Sequence, residues 1–115
     1  MKLAIIGSRT FQDYDLLKKT IENFFAAIPI NTIISGGAAG AGSLAKLYAV
    51  ETGLNLVEHK AQWKIYGKSA GMRRNWDIVQ SSDMVLAFWD GWSKGTQNTI
   101  SLAKQAKKIT LIVYF

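Results

Sequence analysis

The residues best suited to do chemistry in this chain form a glycine- and serine-rich stretch at positions 35–43, SGGAAGAGS. Glycine is favoured where the backbone needs a positive φ or where another group approaches the main chain closely. The stretch joins an apolar pair, Ile33-Ile34, to a helix-like run, and free N–H groups at a helix N-terminus attract anions. A flexible turn is the alternative, because the stretch is neither a Walker A loop nor a G-x-G-x-x-G fingerprint. We expect a phosphate cradle formed by Ser35, Gly36, Gly37, Gly40 and Ser43.

Two further turns repeat this pattern of an apolar strand, a polar loop and an amphipathic segment. Leu3–Ile6 is followed by GSRT at 7–10, and Met84–Phe88 is followed by WDGWSKGT at 89–96. The carboxyl ends of parallel strands lie at one edge of a sheet, where ligands bind in α/β proteins. The three turns are therefore predicted to converge and to supply further ligand-binding residues, namely Gly7, Ser8, Arg9, Asp90, Gly91, Gly95 and Thr96.

A cation and an amide, Arg74 and Asn75, lie early in a predicted helix that follows a glycine-bearing loop. A guanidinium at this position can hold a phosphate bidentately while Asn75 binds a base or a ribose. A solvated helix face is the alternative. Because neighbouring residues on a helix point in different directions, only one of Arg73 and Arg74 should reach a pocket, and we choose Arg74.

All four tryptophans lie in the second half of the chain. Trp63 and Trp92 fall in predicted loops, where they can stack on a nucleobase, and an oligomer interface is an equally good account of them. We include Trp63 among the ligand-binding residues. Trp76, in the middle of a helix, is predicted to lie in the core, and Trp89 to cover the end of a strand.

Groups suited to acid–base catalysis are few. Asp90 is the one carboxylate expected at the binding edge, where it would accept a ribose hydroxyl or cap its turn. His59 is the single histidine, so neither a Ser/His/Asp triad nor a histidine-based metal site can be assembled. We predict no catalytic residue, no metal ligand and no cofactor.

The composition describes one small domain, because 115 residues with 49% apolar content suffice for a single core spanning residues 1–115. The absence of cysteine excludes disulfides and thiolate zinc sites and favours a reducing compartment. No apolar run approaches about 18 residues, so we predict a cytoplasmic protein without a membrane partner. The net charge of +6 makes nucleic acid a candidate partner, although Lys104, Lys107 and Lys108 are explained by a helix C-terminus.

Hydrophobic periodicity and turn residues predict strands alternating with helices. Strands are expected at 2–7, 32–35, 55–59, 84–88 and 109–114, and helices at 14–28, 41–52, 72–81 and 96–106, with 61–71 irregular. This alternation predicts an α/β domain of three layers, with a five-stranded parallel sheet in the order 3-2-1-4-5 and helices on both faces. The order places the first and fourth strands side by side, at the switch point where ligands bind.

These motifs, in this order, resemble the YspA-like branch of the SLOG superfamily. That Rossmann-like group includes the cytokinin-activating phosphoribohydrolases (LOG) and the Rossmann domain of the DNA-processing protein DprA. The resemblance extends over nearly the whole chain and is carried by IGSRT at 6–10, SGGAAGAGSLA at 35–45, Trp63 with YGK at 66–68, Arg74-Asn75, AFWDG at 87–91 and GTQNTI at 95–100.

The chain departs from its relatives at three positions. The second motif of the family usually reads GARGADS, whereas Ala39 stands here at the arginine and Gly42 at the aspartate. In the phosphoribohydrolases a catalytic glutamate occupies the position of Thr99, while the arginine that acts with it is matched by Arg74. The resemblance therefore implies that ligand binding is retained better than hydrolysis.

The resemblance implies a pocket for a nucleotide or nucleotide-derived ligand, either ADP-ribose-like or another signalling nucleotide. The protein would act as a sensor or would sequester the ligand, as phage counter-defence proteins do. A phosphoribohydrolase-like enzyme is the alternative, and single-stranded DNA binding of the DprA type is the second. Because related enzymes place the site beside a dimer interface, we expect a homodimer or a larger homo-oligomer.

Overall fold

The chain forms five strands connected by helices, and the computed structural model describes all residues from 1 to 115. The first half contains β1 (Lys2–Gly7), α1 (Tyr14–Phe24), β2 (Thr32–Ser35), α2 (Ala41–Thr52) and β3 (Asn55–Glu58). The second half contains α3 (Trp63–Tyr66), a 3₁₀ turn (Gly67–Ser69), α4 (Ala70–Ser81), β4 (Met84–Trp89), α5 (Lys94–Gln105) and β5 (Ile109–Tyr114). None of the helices is both long enough and apolar enough to span a bilayer.

The five strands are all parallel and lie in the order β3-β2-β1-β4-β5, which confirms the predicted topology. Strands β1 and β4 pair from Leu3 opposite Met84 to Gly7 opposite Phe88. Their carboxyl ends therefore flank the switch point of the sheet, where the chain leaves in opposite directions along the sheet. The loops after β1 and β4 start side by side.

The central strands are buried on both faces, and alternate residues enter two separate cores. Leu3 and Ile5 pack with residues of α1 and α2 on one face of the sheet. Ala4 and Ile6 pack with residues of α4 and α5 on the other. The sheet is thus the middle layer of three.

Helix α1 is shorter than predicted and ends at Phe24 instead of Ile28. Its start is fixed by Asp13, whose Oδ1 accepts the backbone N–H of Leu16 at 3.0 Å. The chain leaves the helix at its C-cap, Phe25. Pro29 separately disfavours the α conformation at Ile28, the predicted last residue. The bounds of β3, β4 and α5 differ from the prediction by only one or two residues.

Two predictions for the segment after β3 are wrong. Residues 61–71 are not irregular throughout, because α3 begins at Trp63 and α4 already at Ala70; a helix of four residues is too short to show a hydrophobic period. Trp76 is not in the core but 54% exposed. Helix α4 buries Asn75, Ile78 and Val79. Trp76 is the next residue after Asn75, so its side chain is rotated by about 100° around the helix axis, away from the buried face.

Candidate ligand-binding site

The loops that follow β1, β2 and β4 contact one another at the carboxyl edge of the sheet. The backbone N–H of Ser8 donates to the Phe88 carbonyl at 2.9 Å, and the backbone N–H of Asp90 donates to Ser8 Oγ at 3.3 Å. Gly40, in the loop after β2, lies close to the loop after β1, because a Cβ at Gly40 would be 2.5 Å from the carbonyl oxygen of Ser8. Its φ of +77° also favours glycine. The three turns therefore converge as their sequences suggest.

Ser35 holds the glycine-rich loop from inside. Its buried Oγ donates to the Gly42 carbonyl and accepts the backbone N–H of Gly37, both at 3.1 Å. The loop leads into α2, where the backbone N–H groups of Ala41, Gly42 and Ser43 have no hydrogen-bond acceptor in the protein. Free N–H groups at the positive end of a helix dipole attract anions.

A second helix N-terminus, that of α5, opens on the same edge. Asp90 Oδ1 accepts the backbone N–H groups of Trp92 and Ser93, both at 2.8 Å. The hydrogen bond from the Ser93 N–H has the largest effect in lowering the pKa of Asp90 below its ordinary value, and the hydrogen bond from the Trp92 N–H has the next largest. The carboxylate is therefore ionised at neutral pH. Ser93 gives α5 no side-chain cap, and the backbone N–H groups of residues 94–96 remain free.

The converging loops enclose a main cleft of about 410 Å³. Clefts of roughly 300–1,000 Å³ are typical of small-molecule sites. Nine of the residues predicted to bind the ligand line it, namely Gly7, Ser8, Arg9, Gly36, Arg74, Asn75, Asp90, Gly95 and Thr96. The main cleft is therefore the first place to look for a ligand.

A side cavity of about 370 Å³ adjoins the main cleft. The wall common to both cavities consists of Arg9, Gly36, Ala38 and Arg74. Beyond this shared wall, the side cavity is lined by Gly37, Lys60 and Trp63 among others. Trp63 is 56% exposed, which leaves much of its indole accessible to a ligand.

Arg74 is the main cation of the shared wall. Its Nη1 donates to the Gly36 carbonyl at 3.2 Å, and its Nε donates to Asn75 Oδ1 at 3.0 Å. Burial lowers the pKa of Arg74, and the positive charge of Arg9 lowers it further. Neither guanidinium has a carboxylate within ion-pairing distance. An anion bound between them would relieve this repulsion.

Asn75 connects Arg74 to helix α5. Its buried Nδ2 donates to Asn98 Oδ1 at 3.1 Å and to the Gly95 carbonyl at 3.4 Å. Because Oδ1 accepts from Arg74, both ends of the amide already have partners in the protein. The side chain is thus placed to orient Arg74, and its contact with a base or a ribose stays a prediction.

Residues 1–66, more than half of the chain, match the model of the YAcAr family, described as the YspA, cpYpsA-related SLOG family. The chain belongs to this family. It is also 31% identical over 112 residues to the Gene 61 protein of Mycobacterium phage D29, with 91% of this chain and 90% of the phage protein covered.

Among solved structures, the fold is similar to that of DNA processing protein A from Helicobacter pylori, in a structure that describes the single-stranded DNA binding mode of that protein. The TM-score is 0.74, and the match covers 97% of this chain and 64% of the H. pylori chain. The two sequences are 21% identical, so the similarity establishes a shared fold.

Some residues predicted for the site of this SLOG protein line neither cavity: Ser35, Gly40, Ser43 and Gly91. The first two shape the glycine-rich loop, and Ser43 Oγ donates to the Ala38 carbonyl at 3.4 Å. Trp92 also lies outside both cavities and is 86% exposed.

Further residues that were not predicted for the site line the cavities, among them Thr10, Ala38, Lys60, Ser93 and Thr99. Thr10, Ala38 and Ser93 belong to the same three turns and carry the same signal as their neighbours. Lys60 is the second residue after the end of β3, so a cation close to the carboxyl end of a strand could have indicated it. Thr99 lies one helical turn after Gly95.

The site is richer in anion-binding groups than in acids and bases. Asp90 is the only carboxylate that lines either cavity. Thr99 is 2% exposed, and its Oγ1 donates to the Gly95 carbonyl at 3.1 Å. His59 lies outside both cavities with Nε2 at 2.9 Å from Ser81 Oγ, and no three His, Cys, Asp or Glu side chains of residues 1–115 cluster to hold a metal ion.

Proposed function

We propose that this protein binds a nucleotide or nucleotide-derived ligand at the carboxyl edge of its sheet. The observation that carries the proposal is the shared wall of the two cavities, where Arg9 and Arg74 repel each other and neither has a carboxylate partner. A phosphate suits this wall because guanidinium groups and free helix N-terminal N–H groups are its usual protein ligands.

The polarity of the site supports one orientation of the ligand. Asp90 lies in the main cleft and is ionised, so it repels a phosphate but accepts hydrogen bonds from ribose hydroxyls. The side cavity contains Lys60 and Trp63 and no carboxylate, which suits a base stacked on the indole. A ligand with hydroxyls, phosphate and base in that order is ADP-ribose-like, and another signalling nucleotide with this order would fit the same groups.

We propose that binding serves sensing or sequestration of this ligand. The 31% identity to a phage protein supports a role in conflict between phage and host, in which removing a signalling nucleotide would act as counter-defence. We also propose that the protein forms a homodimer or a larger homo-oligomer.

The test of the proposed function is a thermal shift experiment with AMP, ADP-ribose, NAD and cyclic dinucleotides, using adenosine as the control without phosphate. A ligand at a hundredfold excess over its Kd stabilises the folded protein by about 2.7 kcal/mol. We expect at least one phosphate-containing compound to raise the Tm and adenosine to have little effect. If no member of the panel shifts the Tm, or if adenosine acts as strongly, the proposal is wrong.

Phosphoribohydrolase-like activity is the alternative to ligand binding without catalysis. Loss of a positioned general acid or base typically reduces a rate by about 10²–10⁴-fold, and Thr99 offers only a hydroxyl that is bonded to Gly95. We therefore expect nucleoside monophosphates to release little free base on incubation with the protein. Release at an enzyme-like rate that is lost in Asp90→Asn would favour the enzyme instead.

Single-stranded DNA binding is a second candidate, favoured by the fold shared with the H. pylori DNA processing protein A and by the net charge of +6. A strand would be held electrostatically, so log K should fall with log salt by about 0.7 for each phosphate neutralised. Titration of a labelled oligonucleotide at several salt concentrations measures this slope. Binding without salt dependence, or no binding at low salt, would remove the candidate.

A further inference from the structure

The segment from Lys60 to Trp76 has an unusual charge balance. It contains five cations and neither an aspartate nor a glutamate. The single ion pair in the protein joins Lys60 to Glu58 at 3.9 Å, and the other four cations of the segment have no carboxylate partner. Asp77, the next residue, is an exposed carboxylate one helical turn after Arg73, so the surface carries an excess of positive charge.

Three aromatic side chains are exposed on the same segment. Trp63 is 56%, Tyr66 43% and Trp76 54% exposed. Tyr66 and Trp76 line neither cavity, so a small ligand in the cleft would not cover them. We call the region formed by Trp63, Lys64, Tyr66, Lys68, Arg73 and Trp76 the α3–α4 surface.

Contacts between α3 and α4 make this surface continuous. The tip of the Trp63 indole lies 3.4 Å from where a Cβ of Gly71 would be, which brings α3 against the first turn of α4. The Arg73 guanidinium lies over the Tyr66 ring, 4.3 Å from its centroid. Trp76 follows Arg73 by three residues, so both lie on the same side of α4. Trp63 and Tyr66 of α3 thus lie against α4, and Arg73 joins Tyr66 to the side of α4 that carries Trp76.

We propose that the α3–α4 surface binds single-stranded nucleic acid, with the cations along the phosphates and the rings stacked on bases. Positive grooves with exposed aromatic rings bind single strands because every base has a face to stack and every nucleotide a charge to neutralise. The proposal rests on the second candidate function and adds the surface that performs it.

The charge of the surface argues against a second copy of this chain as its occupant. A symmetric dimer through this face would bring the same unpaired cations of both copies together, and like charges at an interface are unfavourable. A polyanion removes that repulsion. Stacking distinguishes a nucleic acid from other polyanions, because a chain such as polyphosphate has no bases.

The test is fluorescence anisotropy with a labelled oligothymidylate of about 20 nucleotides, long enough for one or two binding sites. Trp76→Ala should weaken binding by roughly tenfold, the effect of losing one stacked base, and should leave the salt slope unchanged. Lys64→Ala should instead reduce the magnitude of the salt slope by about 0.7, the contribution of one phosphate.

Matched controls lie on the opposite face of the sheet, on α1. Phe24 is 65% exposed and Lys19 is exposed, so Phe24→Ala and Lys19→Ala remove an aromatic ring and a cation of the same kinds. Both controls should bind the strand as the wild type does. Because Trp76 is exposed, its replacement should leave the Tm unchanged, and a Tm measurement separates lost binding from lost folding.

The outcomes distinguish the surface from the function. If the strand binds but Trp76→Ala and Tyr66→Ala behave like the controls, the surface is wrong and the second candidate function stands. If the strand does not bind at low salt, both are wrong. Equal competition by polyphosphate would also overturn the proposal, because it would show binding by charge without stacking. A dimer that dissociates on Trp76→Ala would overturn it too, because the surface would then be a protein interface.

Discussion

Arg74 is the side chain on which the proposed ligand site depends most. Its Nη1 and Nε are bonded to Gly36 and Asn75, which fixes the plane of the guanidinium in the wall between the cavities. Hydrogen bonds to charged groups contribute about 1.5–3 kcal/mol, so Arg74→Ala should weaken ADP-ribose binding by roughly ten- to a hundredfold. Isothermal titration calorimetry measures the change.

Arg73 provides the matched control for Arg74, because its guanidinium lies over Tyr66 and lines neither cavity. Arg73→Ala should leave ADP-ribose binding unchanged. Asn75→Ala should weaken binding through Arg74, so the double variant should lose less than the sum of the two single losses. Equal losses in Arg73→Ala and Arg74→Ala, or additive effects of Arg74 and Asn75, would contradict the assigned roles.

Asp90 gives a pH dependence of stability with a defined sign. The N–H groups of Ser93 and Trp92 lower its pKa in the folded protein. The stabilisation that comes from a lowered folded pKa is fully present above the unfolded pKa of about 3.9. It is lost as the pH falls through the pKa of the folded protein. Asp90→Asn keeps an acceptor for both N–H groups but cannot titrate.

The free energy of unfolding should therefore fall more in the wild type than in Asp90→Asn between about pH 5 and pH 2, where the carboxylate becomes protonated. Urea unfolding at several pH values measures the difference between the two proteins. An identical acid sensitivity of both would show that the carboxylate does not hold this turn.

At the scale of elements, the glycine-rich loop owes its path to Gly40. Its φ is +77°, and an added Cβ would lie 2.5 and 2.6 Å from the carbonyl oxygens of Ser8 and Arg9. Gly40→Ala should therefore reduce the free energy of unfolding by about 1–3 kcal/mol, a typical cost of a strained backbone position. Chemical denaturation measures it.

Gly95→Ala is the control, because an added Cβ at Gly95 in the first turn of α5 has no neighbour within 4 Å. Alanine in a helix is about 0.5–1 kcal/mol better than glycine, so this variant should be as stable as the wild type or slightly more so. Equal destabilisation by both substitutions would mean that loop strain is not the cause at Gly40.

Sequence reasoning succeeded for elements whose signal is local. Continuous apolar runs gave the strands, and their alternation with helices gave the strand order, because parallel crossovers admit few topologies. Prediction was wrong where a contact with another element decides the structure. Whether Trp76 is buried depends on which face of α4 meets the sheet. The hydrogen bond from Asn75 to Asn98 joins residues that are distant in sequence, so local spacing does not predict it.

At the scale of the whole molecule, we expect the predicted homo-oligomer to form at the sheet edge at β5. Residues 109–115 contain no charge and no proline, and Ile109 and Tyr114 are 65% and 63% exposed. An uncharged edge strand is a template for pairing with another chain. We expect sedimentation velocity to find a dimer in the wild type and a monomer in the variant with Ile109→Lys and Tyr114→Lys.

The matched control for the β5 edge is Phe24→Lys on α1, which adds a charge at another exposed aromatic position and should leave the dimer intact. A monomeric wild type at all concentrations would contradict the predicted oligomer. A dimer that survives the charges on β5 would place the interface elsewhere on the molecule.

The central claim is that the phosphate of a nucleotide ligand binds beside Arg9 and Arg74, in the wall shared by the two cavities and near the free N–H groups of α2. An NMR titration of ¹⁵N-labelled protein with ADP-ribose tests it most directly, because each backbone N–H group reports separately. The largest shift changes are predicted at Arg9, Gly36, Gly42 and Ser43. Saturable changes confined to other regions, or no changes at all, would contradict the claim.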